Sequence, residues 1–188
     1  MLEIQVHKLT RGPIQNLTFT WPAGVSWICG DEGTGKTTLL RLLAGDLQPT
    51  AGKVMAPEGG VFWLDQQDAV HDAMTVQACW QMQGTRWPHW NEVLLQDLTE
   101  ALDMHRHLDK RLDMLSAGSR RKVMVLAALA SGAAVTLLDQ PFAGLDLVST
   151  RVIHAYLAEA AEHPSRAWII ADYEAPKDVP LVCVLSLG

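Results

Sequence analysis

The segment GDEGTGKTT (Gly30–Thr38) follows the pattern G-x-x-x-x-G-K-[ST], and its residue types suit one task, the cradling of phosphate oxygens. Glycines let backbone N–H groups turn inward, and a helix starting at such a loop adds the positive end of its dipole. The candidate nucleotide contacts are therefore Gly30, Asp31, Glu32, Gly33, Thr34, Gly35, Lys36, Thr37 and Thr38. Lys36 is expected to reach the β- and γ-phosphates, and the Thr37 hydroxyl to ligate Mg²⁺. About a hundred residues downstream, VTLLDQPFAGLD (Val135–Asp146) delivers Asp139 at the end of an apolar run. A carboxylate there is placed to hold the magnesium through water. The next residue is Gln140, an amide where a hydrolysing site would be expected to carry a carboxylate.

These residues need elements to position them. LEIQV and LTFTW alternate apolar and polar residues like half-buried strands, and VSWIC (Val25–Cys29) reads as a short buried strand running into the glycines. GKTTLLRLLAG reads as a helix, with Leu39, Leu40 and Leu43 on one face and Gly45 to end it. GGVFWLD (Gly59–Asp65) predicts a further strand. In NEVLLQDLTEALDM, Asn91 can cap a helix whose stripe is Leu94, Leu95, Leu98, Ala101 and Leu102. Another helix starts near Ser116; then come strand AVTLL, a helix from about Val148 to Glu162, and strands AWIIA and LVCVLSL. Strands alternating with helices indicate an α/β layer structure with a largely parallel sheet. We expect one domain, with residues 1–65 and 116–188 forming the α/β core and 66–115 an inserted helical subdomain.

Composition narrows the function classes. A chain of 188 residues with 48% hydrophobic content can bury a sizeable core. A net charge of -6 argues against nucleic acid as the main partner, since a phosphate-backbone binder needs a basic face. The start MLEIQVHKLT lacks the basic lead and apolar stretch of a signal peptide, and no window of about 18 apolar residues could span a bilayer. We expect a cytoplasmic chain. Cys29, Cys79 and Cys183 form no C-x-x-C pair and are read as reduced and structural. His105 and His107, two apart, would face different sides of a helix and are not read as a metal site, while DMHRHLDKRLD reads as a solvated surface.

Between the phosphate loop and Asp139 stands LSAGS (Leu115–Ser119), and after Asp139 comes AGLD (Ala143–Asp146). With these motifs in this order, essentially the whole chain resembles the nucleotide-binding domain of ATP-binding cassette (ABC) proteins. The resemblance implies a P-loop NTPase fold: a RecA-like, mainly parallel sheet flanked by helices, with an N-terminal antiparallel β portion and an inserted helical subdomain. It also implies ATP and Mg²⁺ as cofactors. Gln66 matches the family's glutamine loop and would act on the attacking water and the magnesium. The resemblance further implies a head-to-tail homodimer or a heterodimer with another cassette. Ser116 and Gly118 of one copy would then face the γ-phosphate held by Lys36 of the other. A separate membrane-spanning subunit would dock near Trp80, Trp87 and Trp90, residues that could equally fill the subdomain core, and would hold the chain at the inner face of the cell membrane.

The chain departs from the family pattern at several points. Gln140 replaces the usual glutamate and can orient water but is no general base, a role worth about 10² to 10⁴ in rate. Tyr173, in DYEAP, stands where the resemblance implies the switch histidine, and its phenol can donate a hydrogen bond but offers no ring nitrogen to protonate. Ser119 stands where the signature motif has glutamine, and VHKLTRGPIQ supplies no evident adenine-stacking aromatic. Gln140 could be a natural variant, an introduced substitution that traps ATP, or a position for which another group compensates; several independent departures favour natural divergence. The sequence reading is thus the ATP-binding subunit of a membrane transporter, with slow hydrolysis, resembling the ATP subunits of small bacterial exporters including the haem-export type. Its alternatives are an ATP-gated dimerisation switch with little hydrolysis, a cassette ATPase acting on DNA or ribosomes, and a phosphate-loop kinase.

Overall fold

The computed structural model describes residues 2–65, 68–162 and 164–188, which divide into two compact units. The first unit takes residues 1–63, 134–141 and 154–188. It contains an antiparallel sheet of β1 (Glu3–Arg11), β2 (Ile14–Pro22) and β4 (Ala51–Met55), in the order β2-β1-β4. Its second sheet is built from β3 (Gly24–Cys29), β5 (Val61–Phe62), β6 (Val135–Asp139), β7 (Ala167–Ala171) and β8 (Leu181–Ser186). The order is β5-β6-β7-β3-β8, and every pairing is parallel.

The parallel strands read as continuous apolar runs because both of their faces are covered: all five residues of β7 are buried. β1 and β2 alternate instead, with Ile4, Val6, Leu9 and Trp21 inward and fully buried. These side chains meet Leu39, Leu40, Leu42 and Leu43 of α1 (Lys36–Leu43) and Leu137 and Ile169 of the parallel sheet in one core. The two sheets and α1 thereby hold the strand that feeds the phosphate loop. The expected strand Gly59–Asp65 is only Val61–Phe62, for two reasons. Gly59 and Gly60 take left-handed φ values of 92° and 77°, and only Val61 and Phe62 find ladder partners, in Val135 and Thr136. β4 escaped the sequence reading because its five residues are half-buried or exposed and show no apolar alternation.

The second unit takes residues 64–133 and 142–153. It holds α2 (Val76–Arg86), α3 (Glu92–Ala101), α4 (Ala117–Ala130) and the first turns of α5 (Leu147–Glu162), whose remainder belongs to the first unit. It therefore takes in α4 and the 142–153 segment beyond the span 66–115 expected to form the inserted subdomain. Thr75 caps α2 through the N–H of Ala78, Asn91 caps α3 through that of Leu94, and Ser116 caps α4 through that of Ser119. α2 has no clean apolar stripe, since Gly84 and glutamines interrupt it, yet Val76, Cys79 and Trp80 are buried. The Trp80 indole N–H donates to the Val123 carbonyl of α4 at 3.0 Å. Trp87 and Trp90 are half-buried, and the Trp90 N–H donates to Glu92 Oε2. Within DMHRHLDKRLD the charged side chains Asp103, Arg106 and Arg111 are exposed, but Met104 and Leu112 are core residues. Among the described residues no helix is long and apolar enough to cross a membrane.

Candidate nucleotide site

β3 delivers Gly30 and α1 begins at Lys36, so residues 30–35 must reverse direction within one loop. Gly35 is the N-cap of α1 at φ 103°, a conformation that a side chain strains, and a Cβ there would stand 2.7 Å from Pro13 Cγ. A glycine N-cap brings no side-chain hydrogen bond to the helix, and its first turn carries no acidic residue. The N–H groups of that turn are thereby left to an anion. Asp31, Glu32 and Gly33 are exposed along the loop, while Thr34 and Thr38 are half-buried. The Thr34 hydroxyl donates to the Asp31 carbonyl at 2.9 Å and tightens the turn.

Lys36 is 5% exposed, and its Nζ donates to the carbonyls of Gly30 at 2.5 Å and Asp31 at 2.9 Å. The Thr37 hydroxyl donates to Asp139 Oδ2 at 2.5 Å, joining positions 102 residues apart. That pair comes together because β6, ending at Asp139, runs parallel to β7 and β7 to β3, so their carboxyl ends gather beside the loop. A hydroxyl and a carboxylate are hard oxygen donors, the chemistry Mg²⁺ takes. Among the described residues no cluster of three or more His, Cys, Asp or Glu side chains could hold a metal unaided.

Gln140 follows at φ 44°, a left-handed conformation uncommon for a side chain, and its N–H donates to the Ala171 carbonyl at 2.8 Å. Tyr173 sits just past β7, with its ring face over Lys36 Nζ at 4.1 Å from the ring centroid. The Asp172 N–H donates to the Ile28 carbonyl, the Trp27 indole N–H donates to the Asp172 carbonyl at 3.2 Å, and the Tyr173 N–H donates to Asp172 Oδ1 at 2.8 Å. The sequence reading had not singled out Trp27, Asp172 or Pro13. The bonds of Asp172 to Trp27 and Ile28, and the approach of Pro13 to Gly35, exist only once the strands are adjacent, and no local pattern marks them. Gln66 lies outside the described residues.

Ser116 and Gly118 lie in the second unit, around the start of α4. The Ser116 hydroxyl accepts from the Ser119 N–H at 3.2 Å and donates to the Ser119 hydroxyl at 3.0 Å, so the serine replacing glutamine joins the cap. A Cβ on Gly118 would fall 2.6 Å from the Gly144 carbonyl oxygen. Arg121 donates to the Ala143 carbonyl, and Lys122 Nζ lies 2.9 Å from Asp146 Oδ2. Asp146 also accepts from the Ser149 N–H and hydroxyl, each at 2.8 Å. Those bonds, the Ser149 N–H foremost and then Lys122, hold its carboxyl well below the usual carboxylate range. Arg120 pairs with Asp72 and donates to the Asp68 carbonyl at 3.0 Å. The sequence reading had not singled out Arg121 or Lys122, whose bonds to the Ala143–Asp146 loop appear only in the folded chain.

A parallel sheet that ends in a phosphate loop, a Thr–Asp pair and a capped LSAGS helix define a P-loop nucleotide-binding cassette. Residues 14–143 match the family model described as ABC transporter. The chain is 32% identical over 160 residues to the cytochrome c biogenesis ATP-binding export protein CcmA of Gluconobacter oxydans, covering 83% of this chain and 72% of that one. It is 34% identical over 149 residues to the CcmA protein of Alkalilimnicola ehrlichii, covering 72% of this chain and 63% of that one. In fold it is similar to an ABC transporter ATP-binding protein from Pyrococcus furiosus, with TM-score 0.76, 23% identity and coverage of 98% and 97%. It is also similar to a bacterial ABC transporter cassette solved as a dimer, with TM-score 0.75, 16% identity and coverage of 91% and 88%. The chain belongs to the ABC transporter family, as a nucleotide-binding domain.

Proposed function

We propose that this chain binds Mg-ATP between two cassettes packed head to tail and drives a separate membrane-spanning subunit, with slow hydrolysis. The observation that carries the reading is the convergence of Lys36, the bare start of α1 and the Thr37–Asp139 pair at one strand end. Lys36 and the α1 N–H groups would bind the β- and γ-phosphates. Thr37, Asp139 and Gln66 would hold Mg²⁺, which when bound offsets charge on the phosphate oxygens. Ser116 and Gly118 of the partner cassette would cover the γ-phosphate with a hydroxyl, an N–H and the start of α4. Exposed Leu147 and Val148, 76% and 64% accessible beside AGLD, support an apposed surface there. In hydrolysis water adds to the γ-phosphorus while the bond to the β–γ bridging oxygen breaks. Gln140 can accept a hydrogen bond from that water but cannot take its proton, so the proton must pass to phosphate or solvent.

For the membrane partner, the second unit carries a cavity of about 560 Å³ lined by α2, α3 and the segment after them, including Trp80, Leu95 and Leu108. Trp80 is mainly core, so the indole contributes one edge to that surface. Docking there would keep the chain at the cytoplasmic face of the membrane, and the CcmA relatives support an export role. A second reading, the ATP-gated dimerisation switch, is favoured by Gln140 itself.

Measuring phosphate release and ATP-dependent dimerisation for the native chain and Gln140→Glu separates the two. The transporter reading expects dimers with ATP and turnover that rises about 10²-fold or more in the variant. Dimerisation with no turnover in either chain, even with the membrane partner present, would establish the switch. ATP-dependent phosphate transfer to a small acceptor by the monomer would overturn both.

A further inference from the structure

We infer that Tyr173 is a latch on the phosphate loop: its ring competes with nucleotide phosphate for the Lys36 ammonium. This rests on the nucleotide-site reading above. A lysine ammonium has three donors and no acceptor. In this chain two of them serve the Gly30 and Asp31 carbonyls at 2.5 and 2.9 Å, and the Tyr173 ring face covers the remaining side at 4.1 Å. The cation is thus enclosed by its own protein, with Lys36 5% exposed, while Tyr173 is 51% exposed. A cation within about 6 Å of an aromatic face is attracted by its quadrupole, more strongly where water is excluded.

A phosphate oxygen bonds an ammonium at about 2.7–2.9 Å, a distance the ring denies on its side. The carbonyls are backbone and remain in the loop. The ring is one side-chain rotation from leaving: among the described residues the bonds beside it engage backbone, from Asp172 to Ile28, from Trp27 to Asp172 and from the Tyr173 N–H to Asp172. Phosphate therefore enters by swinging Tyr173 outward. The apparent affinity is the intrinsic affinity multiplied by the fraction of chains whose ring is already out. A histidine at this position would offer a nitrogen to the γ-phosphate; the tyrosine offers its face to the lysine instead.

The test is Mg-ATP and Mg-pyrophosphate binding by calorimetry, using the full chain and its Tyr173→Ala, Tyr173→Leu and Tyr173→Phe variants. Removing the ring should tighten both ligands about three- to tenfold in Tyr173→Ala and Tyr173→Leu. Tyr173→Phe keeps the ring face and should stay within about twofold of the native chain. Unchanged or weaker binding by the Ala and Leu variants overturns the latch, as does a Phe variant as tight as Ala, which would move the contact to the hydroxyl. Tightening for Mg-ATP but not pyrophosphate also overturns it, because competition at the lysine must act on phosphate alone. If neither the native chain nor any variant binds Mg-ATP, the nucleotide reading itself fails, and the latch with it.

Discussion

The phosphate loop and the Ala143–Asp146 loop hold their shapes by opposite means. The first is held within itself: a glycine N-cap in the left-handed region, the Thr34 hydroxyl and Lys36 ammonium bonding the loop's own carbonyls, and no side-chain cap at the start of α1. The second is set by side chains reaching across the second unit, Arg121 to the Ala143 carbonyl and Lys122 to Asp146, with Gly118 letting Gly144 come close. A loop held within itself keeps its shape while the N–H groups at the start of α1 remain for a ligand. A side-chain-built loop has its donors already committed, so changes in α4 are felt directly in the loop.

That contrast predicts where substitutions act. Lys36→Ala should leave the fold nearly intact and weaken Mg-ATP binding by about 100-fold, or about 2.7 kcal/mol, in a calorimetric titration. Gly118→Ala should do the reverse, acting on stability. Alanine favours a helix by about 1 kcal/mol, but the new Cβ must push away a backbone oxygen 2.6 Å distant. A net loss of about 1–2 kcal/mol is expected in urea unfolding, and a neutral result would show the two segments yield easily.

Lys122→Ala should cost about 0.5–1 kcal/mol, since its partner is largely exposed. Its signature is in the acid limb. The folded carboxyl of Asp146 is depressed, so its contribution is present above the ordinary carboxylate range and lost as pH falls through the folded value. Removing Lys122 should shrink that loss, and acid-unfolding curves of the two chains would converge at low pH. Burial also lowers His154 below its ordinary 6.5, so neutral His154 favours the fold above that pH. Stability should decline as pH drops from about 6.5 through the lower folded value, and His154→Gln should flatten that decline in melting temperature.

Much of the candidate site was legible in the sequence because its geometry is local. Gly30–Thr38 names its own loop and helix, and Ser116 names its own cap. Strands β3, β6 and β7 were legible as apolar runs between turn residues. The gaps have physical causes. β4 lacks alternation because none of its residues is fully buried, α2 is held by Trp80 and Cys79 despite a broken stripe, and β5 is shortened by two left-handed glycines.

The sequence by itself determined that a phosphate loop opens a helix, that a carboxylate ends a buried strand downstream, and that an amide follows that carboxylate. These depend on residue type and short spacing, and need only neighbours along the chain. Tertiary structure alone decided that Thr37 meets Asp139 across 102 positions and that Tyr173 lies on Lys36. Both depend on β7 lying between β6 and β3, a pairing order that no single segment carries. Strand order is chosen by burial and hydrogen bonding over the whole sheet, and the chemistry at its carboxyl ends follows from that choice.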